Sequence, residues 1–239
     1  RRNKNIMSLP VINVPTYELV QPSTKDELKY RPFLVKEEKL LLMAMEEDNE
    51  KQMVDAVRQI VNNCTFTEMD VNSLPMFDLE YIFLNIRAKS VGEVAPVKLL
   101  CKDDGKTYAD VDIPLDEVRV QFKEGHTNII DLDDTVKIEM SYPTFEMAEL
   151  ITKGNVDSIF KLIYRCVNKI IDGETIHERT DFSQKELKEF IDSLNSKQFL
   201  DIQSFFETMP KLSYEVEYEN PKTKKKNKMT LEGLQSFFA

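Results

Sequence analysis

The side chains best suited to proton transfer, nucleophilic attack or metal binding in this 239-residue chain are two histidines, His126 and His177, and three cysteines, Cys64, Cys101 and Cys166. A nucleophilic dyad needs a base within hydrogen-bond reach of a Ser or Cys, with a third group to orient it. Both histidines lie in polar text, EGHTN and ETIHERT, that reads as solvated loop, and no such set is legible around them. With 42 acidic residues, paired carboxylates arise anywhere by chance, and no D-x-D-x-D-G calcium loop occurs. The six glycines include no phosphate-cradling cluster. The expectation is a protein that is not an enzyme, with no catalytic residue, no cofactor and no metal. An odd number of cysteines without close pairing points to a reducing compartment and to plain core or surface thiols.

Charge narrows the partners. A formal charge of −10 and a pI near 4.9 disfavour nucleic acid, because phosphate binding needs a positive surface that releases counterions. The exception is PKTKKKNK, with Lys224, Lys225 and Lys226 at its centre. It falls at a predicted turn and has no interleaved aromatics on which bases could stack. Its default is a solvated hairpin tip, and its functional reading is a steering contact for an acidic neighbour. Phe199, Phe205, Phe206, Phe237 and Phe238 crowd the C-terminal text. Core packing accounts for most of them, but chain ends fray, and Phe237 with Phe238 left in water would be an apolar patch for a partner. Phe237, Phe238, Lys224, Lys225 and Lys226 are therefore the expected partner-binding residues. No run of about 18 apolar residues is present to span a bilayer, and RRNKNIMSLPVINVP lacks the apolar centre of a signal peptide. The expectation is a cytosolic protein or part of a soluble particle.

The elements that would position these residues centre on Phe77–Gly92, FDLEYIFLNIRAKSVG. Asp78 sits where an N-cap belongs, Leu79, Ile82, Phe83 and Ile86 recur at helical spacing, and Gly92 closes the segment. Upstream, Pro10, Pro15 and Pro22 forbid a helix and predict an extended arm. Two helices follow, one carrying Leu40, Leu41, Met43 and Ala44, the next Met53, Val54, Val57, Ile60 and Val61. Past Gly92 the period changes to two: VKLLC and YADVDI alternate around Asp103-Asp104-Gly105, EVRVQF adds a further run, and TVKIEMSYP supplies another strand. Helical text resumes with breaks at Gly154, Gly173 and Asn195, and Val156–Ile171 reads as its most apolar helix. A second hairpin is predicted around Pro221–Lys224. The segments are an arm over 1–30, a helical unit over 31–93, a small antiparallel β region over 94–142, a helical region over 143–210, and a hairpin with a short terminal helix over 211–239. The predicted class is α+β, mostly helical, with two small antiparallel hairpin units.

The two hairpins align, Cys101 with Asn220, Asp104 with Thr223 and Gly105 with Lys224, although any two tight hairpins share such a pattern. RPFLVKEEKLLLMAM (31–45), LPMFDLEYIFLNIRAKSVGE (74–93), FFETMPKLSYEVEY (205–218) and KKNKMTLEGLQSFF (225–238) resemble the baseplate hub assembly proteins of T-even-type contractile-tailed bacteriophages. The resemblance implies a structural or chaperone-like protein whose partners are other baseplate hub proteins, with self-association as a further option. It places the protein in the host cytoplasm during assembly and in the tail baseplate of the virion. The resemblance also implies zinc-ribbon-like hairpins carrying C-x-x-C pairs, since four thiolates hold zinc tetrahedrally. Here the corresponding positions read Cys101-Lys-Asp-Asp104 and Asn220-Pro-Lys-Thr223, so the hairpins are expected to be degenerate ribbons held by turn chemistry and strand pairing. The alternatives are a tail-associated hydrolase or metal-dependent enzyme with an unrecognised site and, more weakly, a nucleic-acid-binding module.

Overall fold

The computed structural model describes residues 12–47, 49–66 and 69–237. Two short strands, β1 (Tyr17–Val20) and β2 (Glu27–Tyr30), form an antiparallel hairpin inside the stretch predicted as an extended arm. Leu19, Leu28 and Tyr30 are buried, so the hairpin packs on its own chain. Three helices follow: α1 (Val35–Glu46), α2 (Glu50–Cys64) and α3 (Met76–Val91). Leu79, Ile82, Phe83, Leu84 and Ile86 of α3 are all fully buried. Burying each such side chain contributes about 1.5–3 kcal/mol, which makes α3 the centre of this core. Pro75, not Asp78, occupies its N-cap position, as suits a residue with fixed φ and no amide to satisfy.

The strands β3 (Val94–Leu100) and β4 (Tyr108–Pro114) pair as a hairpin with Val97 opposite Val111. Strand β5 (Arg119–Gln121) leaves that sheet and pairs across the sequence with β10 (Lys211–Glu219), which pairs in turn with β11 (Lys226–Glu232). Between β5 and β10 lies an inserted unit. It contains β6 (Ile129–Asp131), β7 (Val136–Met140), α4 (Ala148–Lys153), α5 (Val156–Cys166), β8 (Val167–Asp172), β9 (Thr175–Glu178), α6 (Gln184–Asp192) and α7 (Ser196–Thr208), with a four-stranded antiparallel sheet ordered β6-β7-β8-β9.

The two units have separate cores. Leu19, Ile60, Phe83, Ile113, Leu212 and Phe237 belong to the outer one, and Ile138, Ile163, Leu187, Ile202 and Phe205 to the inner. A seam of rings joins them: Phe77 meets Tyr142 edge-on at 5.1 Å, and Tyr142 stacks on Phe205 at 5.5 Å. Arg58 of α2 adds a salt bridge of 2.7 Å to Glu146.

The mostly helical class is overturned. The chain is 39% helix and 28% strand, with four sheets of two to four strands among the described residues. The single helix predicted over Val156–Ile171 ends at Cys166, and Val167–Asp172 continues as β8. Valine and isoleucine suit a pleated strand, and a partner for them was already present in β7. Gly173, predicted as a helix break, instead turns β8 into β9 with φ 58°. Among the described residues, no helix is long and apolar enough to cross a membrane.

Candidate functional site

Helix α3 carries two buried carboxylates that tie distant segments to it. Asp78 faces the β1–β2 turn, accepting from Gln21 Nε2 at 2.8 Å, from the Ser23 amide at 3.0 Å and from the Ser23 hydroxyl. Burial raises its pKa, with these bonds and Lys25 working against the rise. Glu80 takes the amide of Leu234 at 3.0 Å. It is 5% exposed and its pKa is pushed up to about 7 by burial, opposed by the Leu234 bond.

The two aligned hairpin turns meet. In each, the fifth residue donates its amide to the carbonyl of the first, Gly105 to Cys101 and Lys224 to Asn220, both at 2.9 Å, with φ of 64° and 60°. The β1–β2 turn repeats the device, Lys25 donating to Gln21 at 2.9 Å with φ 66°. The Asp103 carboxylate bridges the pair, accepting from Asn220 at 2.9 Å, Asn227 at 3.0 Å and Thr223 at 2.5 Å. The Tyr218 hydroxyl adds a bond to the Leu100 carbonyl at 2.7 Å.

The four positions that the resemblance equates with zinc ligands do not fit that metal. Asp104 is spent on its own turn, accepting from the amides of Lys106 and Thr107 at 3.0 Å each. Asn220 accepts from the amides of Lys222 and Thr223 at 2.8 and 3.2 Å. The Cys101 thiol is buried, and burial together with Asp103 and Asp104 beside it raises its pKa. Burial likewise pushes Cys64 up to about 11 and Cys166 up to about 12.

Lys224, Lys225 and Lys226 lie exposed at the β10–β11 tip. Lys224 is 3.7 Å from Glu219, and farther down the hairpin Lys228 is 2.8 Å from Glu215, so acidic neighbours on the same hairpin offset part of the basic run. Phe237 is in the outer core at 1% exposure. The picture of it as a solvent-facing patch is corrected, because a short 3-10 turn over Leu234–Phe237 folds the chain end back onto the core. Phe238 lies outside the described residues.

The histidines are also relocated. His126 is half-buried in the aromatic seam, its Nδ1 2.9 Å from Thr208 Oγ1 and its Nε2 3.0 Å from Tyr142 Oη. Since the Thr208 hydroxyl donates to Ser204 at 2.7 Å, consistent bonding puts the proton on Nδ1, with Nε2 accepting from Tyr142. Burial lowers its pKa. His126 thus ties the ends of β7 and α7 together within the inner unit and is not a solvated loop residue. His177 is exposed, on β9 opposite Ile170.

Two features escaped the sequence reading. Along α1, Val35, Leu42, Met43 and Met45 are 78%, 53%, 50% and 46% exposed, while Leu41 and Ala44 on the other side are buried. The helix therefore carries large apolar side chains on its outward side too, interleaved with Glu38, Lys39 and Glu46, and none of the described residues buries them. At the seam, a cavity of about 260 Å³ is bounded by Glu80, Phe77 and Leu212 of the outer unit and by Ile151, Leu162 and Phe206 of the inner one.

A family model described as T4 bacteriophage base plate protein matches residues 14–239. No curated protein and no solved structure matches the chain.

Proposed function

The chain belongs to the T4 bacteriophage base plate protein family, and from that premise we propose that it is a non-enzymatic structural and assembly protein of a contractile tail. In this reading it brings hub components of the baseplate together through protein–protein contacts. The observation that carries it is the outward stripe of α1, since large apolar side chains clustered on one exposed helical face mark an interaction surface. An amphipathic partner groove would take Val35, Leu42 and Met45 as anchors at helical spacing. The lysines at the β10–β11 tip supply an electrostatic contact to an acidic neighbour, which sets approach and register more than affinity.

Co-expression with other baseplate proteins, followed by size and mass analysis, tests this. Replacing Leu42 and Met45 together by Gln should abolish the complex and leave the melting transition in place. A complex that survives the double change would rule out α1 as the contact face.

A further inference from the structure

The seam cavity has a composition that packing between units does not require. Its walls are apolar, including Met76 and Phe77 of α3 and Ile151 and Leu162 of the inner unit, yet Glu80 lines it and Glu232 lies at its edge. Lys211 also lines it and pairs with Glu232 at 3.4 Å. That leaves Glu80 with the hydrogen bond from Leu234 and, among the described residues, no cation beside it to offset its charge.

A buried carboxylate without a counter-charge is costly, and a neutral apolar occupant would dehydrate it further. An anion would meet two carboxylates against one ammonium. A cation with a hydrocarbon stem satisfies both ends of the cavity, as lysine side chains do when the stem packs on apolar surface and the head reaches a polar group. The volume lies just below the range of about 300–1,000 Å³ usual for small-molecule pockets. That suits a group of side-chain size and excludes a nucleotide.

We propose that this cavity binds a primary alkylammonium group, its stem against Met76, Phe77, Ile151 and Leu162 and its head at Glu80. Such a ligand would touch both units and stiffen their junction. The ammonium could be that of a free aliphatic amine or of a lysine on a neighbouring protein, and the two share this chemistry.

Titration calorimetry and melting of the whole chain at pH 8, above the value of about 7 to which burial pushes the Glu80 carboxyl, with n-pentylamine, Nα-acetyl-lysine methylamide and 1-pentanol as probes, test the proposal. n-Pentylamine should bind and raise Tm, as a ligand specific to the folded state must. 1-Pentanol should bind about tenfold more weakly or worse, and Glu80→Gln, which keeps an oxygen for the Leu234 amide, should weaken the amine by about tenfold or more. Binding by the blocked lysine as well points to a protein side chain as the natural source, and binding by n-pentylamine alone to a free amine. Absence of amine binding, equal binding of the alcohol, or an unchanged affinity in Glu80→Gln overturns the assignment.

Discussion

The outer unit gathers its core from both ends of the chain and holds it with buried polar joints, whereas the inner unit is contiguous and relies on helix caps at its surface. Glu37, Asp78, Glu80, Thr107, Asn220 and Asn227 are all buried in the outer unit. Each of Asp78, Glu80, Asn220 and Asn227 bonds a partner far away in sequence. In the inner unit Ser158 is the buried polar residue among those described, and the caps that start its helices are local, with Gln198 and Thr208 of α7 adding longer-range bonds to Leu132 and His126. Asn155 caps α5, while Ser183 with Glu186 and Asn195 with Gln198 form reciprocal capping boxes on α6 and α7. Apolar burial has no direction. Segments that meet from opposite ends of a chain need directional bonds to fix how they meet, and neighbouring segments are already restricted by their short connections.

That contrast can be attacked at several strengths. The largest effect is expected from Glu37→Ala in the outer unit. Glu37 is 1% exposed, pairs with Arg31 at 3.1 Å and accepts the Leu34 amide at 2.9 Å. Burial works against its charge, but Arg31 and Leu34 hold its pKa below the ordinary value. Breaking such a pair should cost about 3–5 kcal/mol in denaturant unfolding, and a loss below about 1 kcal/mol would show that the polar joints are incidental.

Next comes pH. Glu80 has its pKa moved from 4.5 to about 7, so the folded state binds a proton that the unfolded state releases between those values. The contribution is complete below about pH 4.5 and is lost as pH rises through about 7, on the order of 3 kcal/mol in all. Unfolding curves from pH 4.5 to 8 should show this decline, and Glu80→Gln should flatten it.

Asn220→Ala should cost about 1–3 kcal/mol, because the amides of Lys222 and Thr223 lose their acceptor. Smallest is Ser183→Ala in the inner unit, about 1 kcal/mol for a lost N-cap. Should Ser183→Ala prove as damaging as Asn220→Ala, the distinction between the units fails.

The same contrast governs what could be read from the sequence. Helix α3, the β3–β4 hairpin and the β10–β11 hairpin were legible because period and turn residues lie within each segment. The β5–β10 pairing was not, since nothing local in RVQ names a partner beyond an entire inserted unit. Strand β8 was hidden because VNKII prolongs the apolar run of α5. Of the candidate site, the lysine tip was legible as charge. Glu80 was not, because an acid among LEYIF looks like the solvent side of a helix until the chain end folds over it. The outward residues of α1 had the composition of a core face, and sequence alone did not show that Leu41 and Ala44 already supplied one.

The strand pairing that closes the insertion carries one more consequence. Gln121 and Lys211 are direct cross-strand partners, so the inner unit leaves and re-enters its host at a single doorway. A lineage could therefore trade, enlarge or discard everything between them by splicing a tight turn across that gap, without rethreading the scaffold that bears α1.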